Sequence, residues 1–195
     1  MHRPLSVLVV AAIGIWIAMS TADAVGQGAL RGLQVSPAPW SAERVDLAER
    51  LRAIGLPALR EEGQALHTHQ HLDVVVDGKA VLVPASIGID WLNRFISPVH
   101  THDETGIIHI ESPTIQTFTL GQFFDIWGVK LDATCVGGYC TGRDKLLRVY
   151  ANGAMVDGDP RTLPLTQHLV VAVMYGTREQ VAKPPRASFE FPRGL

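Results

Sequence analysis

"ALHTHQHLDVVVDG", residues 65–78, changes character at its midpoint. Its first half sets His67, His69 and His71 at alternate positions, and its second half alternates Leu72, Val74 and Val76 with Asp73, Val75 and Asp77. A period of two marks a β-strand, whose successive side chains point to opposite faces. Asp77-Gly78 then marks a two-residue hairpin, with Ala80 to Val83 returning as a second strand. If the strand reaches back to residue 67, then His67, His69, His71 and Asp73 share one face. Leu72, Val74 and Val76 fill the other, which must be the core side.

The same device recurs downstream. Leu147 to Ala151, Asn152-Gly153, then Ala154 to Val156 repeats the pattern at Leu, Val, Gly and Val, and reads as a second hairpin. Between the two hairpins lie a strand at Gly106–Glu111 and a helix with Leu120, Phe123, Phe124 and Trp127 at helical spacing. Thr119 with Gln122 supplies a capping box for that helix, and Gly128 ends it. His168 to Tyr175 is a strongly apolar last strand. Near the start, a short amphipathic helix opens at Ser41; Leu47, Ala48, Leu51 and Ile54 form its apolar stripe, and Gly55 with Pro57 stops it. The fold class expected is α+β: a mostly antiparallel sheet with one core-packed helix and a short N-terminal helix, the alternative being a small β-sandwich. The organisation expected is a signal peptide over 1–24, a linker over 25–40, the short helical segment over 41–63, the histidine-rich α+β domain over 64–176 and an irregular tail over 177–195.

A length of 195 residues fits one domain. The net charge of −2 leaves no large basic field, which excludes nucleic acid as an expected partner. His2 and Arg3 precede an uncharged apolar run from Leu5 to Met19, and Ala22-Asp23-Ala24 follows with small residues flanking one position. That order is a secretory signal peptide with cleavage after Ala24, so the protein is expected to be exported, whether secreted, periplasmic or in the cell envelope. The alternative is an uncleaved N-terminal anchor, the only way a membrane becomes a partner, but the run is shorter than the roughly 20 residues that span a bilayer. In an oxidising compartment Cys135 and Cys140, five apart around Gly137-Gly138, read as a disulfide.

The chemistry lies in the histidines. Of eight, His2 falls in the signal segment and His168 stands apart. The rest form two windows: His67, His69 and His71, then "HTHDETGIIHIES", residues 100–112, with His100, His102 and His109. His109 and Glu111 share a strand face opposite Ile108 and Ile110. Adjacent strands lie about 4.8 Å apart, so two such strands side by side can aim imidazoles and carboxylates at one ion. The candidate metal ligands are His67, His69, His71, His100, His102 and His109, with Asp73, Asp103 and Glu111 as carboxylate ligands or as groups that orient the imidazoles. Imidazole plus carboxylate, without free thiolate, suits copper(II) or zinc. Complete catalytic signatures are missing: H-E-x-x-H, G-x-S-x-G, a P-loop and a dinucleotide fingerprint are all absent. His100-x-His102 opens like a first cupin motif, but Gly106 and Ile107 stand where its Glu belongs.

Taken together, His69-x-His71-Leu72-Asp73, Ser97-Pro98-x-His100-Thr101-His102-Asp103, Gly106-x-Ile108-His109-Ile110-Glu111-Ser112 and Thr119-Leu120-Gly121-Gln122-Phe123-Phe124 resemble a family of exported bacterial proteins of unknown function. The resemblance spans roughly residues 56 to 176 and implies that the two histidine windows act as a unit. It carries no activity with it.

Three functions follow as expectations. The first is an exported, non-catalytic protein that binds copper(II) or zinc for capture, buffering or delivery, with no catalytic residues. The second is a metal-dependent hydrolytic or oxidative enzyme, using a His/carboxylate site with Glu104 or Glu111 as general base. The third is an envelope binding module without metal, whose partner is another envelope protein.

Overall fold

The structure, a computed structural model, describes residues 30–195. The apolar segment and the expected cleavage after Ala24 lie outside the described residues. Among those described, no helix is long and apolar enough to cross a membrane.

Strand β1, Leu66–Val76, is eleven residues long and runs unbroken through the histidines and the valines. Both of its edges are used. On one side it pairs in parallel with β11, Val170–Thr177; on the other, its first half pairs antiparallel with β6, Ile107–Ser112, and its second half with β2, Lys79–Val81. Outward from β6 lies β5, Val99–His100; outward from β11 lie β9, Lys145–Ala151, and β10, Ala154–Met155. The order across the sheet is therefore β10-β9-β11-β1-β6-β5, with β2 attached to β1. Two short ribbons complete the strands: β3, Ile89–Asp90, with β4, Phe95–Ile96, and β7, Cys135–Val136, with β8, Tyr139–Cys140. The architecture is α+β and mostly antiparallel. The parallel β1–β11 pair at its centre is not visible in the sequence, because a parallel pair needs a long crossover and carries no local turn signal.

Both expected hairpins form. Asp77 and Gly78, at φ 51° and 76°, and Asn152 and Gly153, at φ 50° and 78°, take the left-handed turn conformation that matches strand twist. The core side of the sheet carries Leu72, Val74, Ile108, Ile110, Val149, Val171 and Val173. Against it lies helix α2, Leu120–Trp127, capped by Thr119 and Gln122 as expected and closed by Gly128. Phe123, Phe124 and Trp127 of α2 are fully buried, each contributing about 1.5–3 kcal/mol of apolar burial.

Two segments differ from their sequence reading. Helix α1 spans Leu47–Ala53 and starts well after Ser41. Glu43, expected in its first turn, instead holds Arg50: the fully buried guanidinium bonds the Glu43 carboxylate and donates to the Glu43 carbonyl at 2.9 Å. It also donates to the carbonyls of Asp125 (2.7 Å) and Ile126 (3.2 Å) at the C-terminal end of α2, where a cation is favoured by the helix dipole. The described part of the stretch read as a linker packs on the domain. Trp40 is buried edge-on to Trp127 with ring centroids 5.9 Å apart, and the Gln34 N–H donates to Gly128. One large aromatic outweighs the Gly, Ser and Pro around it. At the other end, the stretch read as an irregular tail opens with a short helix, α3, Arg178–Val181, which the Thr177–Gln180 capping box starts; the chain beyond it is irregular.

Cys135 and Cys140 form a disulfide that closes the β7–β8 ribbon.

Candidate metal centre

Strand register places the histidines. His67 lies opposite Glu111, His69 opposite His109, and His109 opposite His100, so a row of side chains crosses β1, β6 and β5. Directly opposed residues of an antiparallel pair share a face. Because Leu72, Val99, Ile108 and Ile110 take the core side, these histidines and Glu111 emerge together on the reverse side. Ring centroids are 4.9 Å apart for His67–His69, 4.8 Å for His69–His109 and 5.6 Å for His100–His109. His102 returns from the end of β5, 4.5 Å from His109 and with its Nε2 3.1 Å from Nε2 of His100. Five imidazoles from the two windows thus converge.

The protein around them leaves their lone pairs turned inward. Nδ1 of His100 lies 3.0 Å from the Ser97 carbonyl, which can only accept, so Nδ1 carries the proton and Nε2 presents a lone pair to the cluster. Both ring nitrogens of His69, Nδ1 of His109 and Oε2 of Glu111 are buried with no hydrogen-bond partner among the described residues. Each such group costs about 1–3 kcal/mol when left unsatisfied. Burial, helped by neighbouring imidazoles, holds His100 down to about 3 and His109 down to about 4, and lowers His69 as well. The rings are therefore neutral at neutral pH, the state in which imidazole ligates. Burial and the nearby Glu62 push Glu111 up to about 7.

Glu62 is the residue that sequence reasoning missed. It sits before β1, where the chain runs back along β6: the Gly63 N–H donates to the Glu111 carbonyl at 3.2 Å and that of Ala65 to Ser112 at 3.0 Å. The approach is close enough that a Cβ on residue 63 would lie 2.1 Å from the Pro113 nitrogen, so glycine is required. Oε1 of Glu62 then stands 3.5 Å from Nε2 of His102. In the sequence Glu61-Glu62 is an ordinary acidic pair, and nothing in its spacing relates it to the histidines.

Two donor groups result, each with all ligand atoms within 4.8 Å of one another: Glu62, His100, His102 and Glu111, and His67, His69 and Glu111. Their geometry can hold a metal ion. His109 lies between them.

Besides His109, three of the nominated residues stand outside both groups. Nε2 of His71 bonds the Thr105 carbonyl at 3.0 Å, and its ring stacks on Phe189 of the tail at 3.9 Å. Asp73 is held by both arms of Arg186, at 2.5 and 2.7 Å. Asp103 accepts from the Thr105 N–H at 2.9 Å and shapes the loop before β6. Glu104 is exposed and also outside them. With both cysteines bridged, no free thiol is available as a ligand. No family model, no curated protein and no solved structure matches the chain.

Proposed function

We propose that this is an exported protein that binds copper(II) or zinc through the histidine face, in capture, buffering or delivery of the ion. The observation that carries the reading is the set of buried imidazole nitrogens and the Glu111 carboxylate oxygen, without hydrogen-bond partners among the described residues, that face one another across β1, β6 and β5. A divalent ion accepts those lone pairs and offsets their burial, and the nitrogen and oxygen donors suit copper(II) and zinc. Export is supported by the Cys135–Cys140 disulfide and by the signal-like N-terminal sequence. Calorimetric titration of the metal-free full chain at neutral pH tests the proposal. Micromolar or tighter binding, lost in His69→Ala/His100→Ala, is expected; no binding of either ion overturns it.

One observation favours a second reading, a metal-dependent hydrolase. A cleft of about 420 Å³ opens beside the histidine face, lined by Glu62, His102, Ile89, Trp91, Phe95 and Arg94. A substrate seated there would lie against Glu62 and His102; in this reading His100, His102 and Glu111 hold the ion and Glu62 is a general base instead of a ligand. Zinc-dependent hydrolysis of chromogenic carboxylic or phosphate esters, abolished in Glu62→Gln with zinc binding retained, would favour this reading over simple capture.

A further inference from the structure

We infer that the centre is built for two metal ions, with Glu111 bridging them. The inference rests on the metal-binding reading above and adds a stoichiometry and a role for one carboxylate. The two donor groups do not merge into one, and Glu111 is the member they share. Its two oxygens face different partners. Oε1 lies 3.2 Å from Nε2 of His67 and 3.6 Å from Nδ1 of His109, whereas Oε2 lies 3.7 Å from Nε2 of His100.

Donors to one ion must all fall about 2 Å from it, which confines them to a small shell. The row across the sheet is too long for that. His67 and His69 come from β1 at one end, and His100, His102 and Glu62 gather beyond β6 at the other. A carboxylate between two such sets, one oxygen to each, is how paired ions about 3.5–4 Å apart are commonly held. The second, independent observation is that the bridging position is already desolvated. Oε2 of Glu111, Nδ1 of His109 and both nitrogens of His69 are buried without partners among the described residues. A single ion in the Glu62 group would leave the His69 nitrogens unsatisfied; a single ion in the His67 group would leave the His102 end unused. His109, between the groups, has its Nδ1 free to serve one of the two ions.

The experiment loads metal-free full chain with copper(II), removes excess ion, and measures bound copper by elemental analysis together with its electron paramagnetic resonance. Two copper ions per chain are expected, with an integrated signal well below two independent spins because the bridge couples them. Glu111→Gln, which offers one oxygen to metal, is expected to bind fewer ions or to give two uncoupled signals. His67→Ala/His69→Ala empties one group and is expected to leave one ion with an ordinary mononuclear spectrum, which keeps the test valid should Glu111→Gln fail to fold. One ion per wild-type chain, or two ions uncoupled and unaffected by Glu111→Gln, overturns the bridged pair while leaving metal binding intact. No bound copper overturns both.

Discussion

Replacing Glu111 by Gln in the metal-free protein exposes a balance of protons in the centre. His100 and His109 are held down to about 3 and about 4, against 6.5 in the unfolded chain. With the folded value below the unfolded one, the unfolded chain takes up protons first. The stability these rings confer is complete above pH 6.5 and is lost as pH falls. Each unit below 6.5 costs about 1.4 kcal/mol per ring, or roughly 4 kcal/mol for the pair at pH 5. Glu111 has the opposite sign. Its folded value is raised from 4.5 to about 7, so the folded protein keeps a proton that the unfolded chain releases, and stability rises as pH falls between those values. Between pH 7 and 5 that contribution recovers about 2–3 kcal/mol. From these three groups the wild type should therefore lose about 1–2 kcal/mol over this interval. Glu111→Gln, uncharged throughout, should be the more stable protein at pH 7 and should lose more on acidification. Water at the mouth of the centre screens part of the effect, so the expected difference between the two pH dependences is about 1–2 kcal/mol. His69 and His71, also lowered by burial, add the same loss to both proteins and leave the comparison unchanged. Urea unfolding followed by tryptophan fluorescence, with a chelator present at both pH values, measures it. Equal pH dependences in the two proteins would refute the reasoning.

Other outcomes follow from the same geometry. His71→Gln should leave copper affinity within about tenfold of wild type, while His100→Gln should weaken it by about 100-fold or more, as measured by competition with a chromophoric chelator. Gly63→Ala should lower copper affinity with the circular dichroism spectrum unchanged, because the new methyl must move the chain that carries Glu62 away from Pro113. Arg50→Met should cost about 3 kcal/mol in urea unfolding without changing copper stoichiometry, since it strands the Glu43 carboxylate and the last carbonyls of α2. Cys135→Ser/Cys140→Ser should cost about 2 kcal/mol, the chain entropy of a ring this small, again with metal binding retained.

What the sequence determined by itself was local. Alternation separated His67, His69 and His71 from Leu72, Val74 and Val76, and a strand geometry converts alternation directly into opposite faces. The hairpins at Asp77-Gly78 and Asn152-Gly153 and the capped helix Leu120–Trp127 were legible because turn and cap chemistry acts over a few residues. Only the tertiary structure decided which histidines meet. The register of β1 against β6 sets His69 beside His109, and the antiparallel β5–β6 pair adds His100. His71 has the same spacing as its neighbours, yet it lies one step further along β1, opposite Ile107, where the tail brings Phe189 onto its ring. Asp73 goes to Arg186, 113 residues away, and Glu62 joins the site because the chain turns back along β6. Local chemistry sets the face on which a side chain emerges. Which partners reach it depends on long-range pairing, for which spacing along the chain carries no signal.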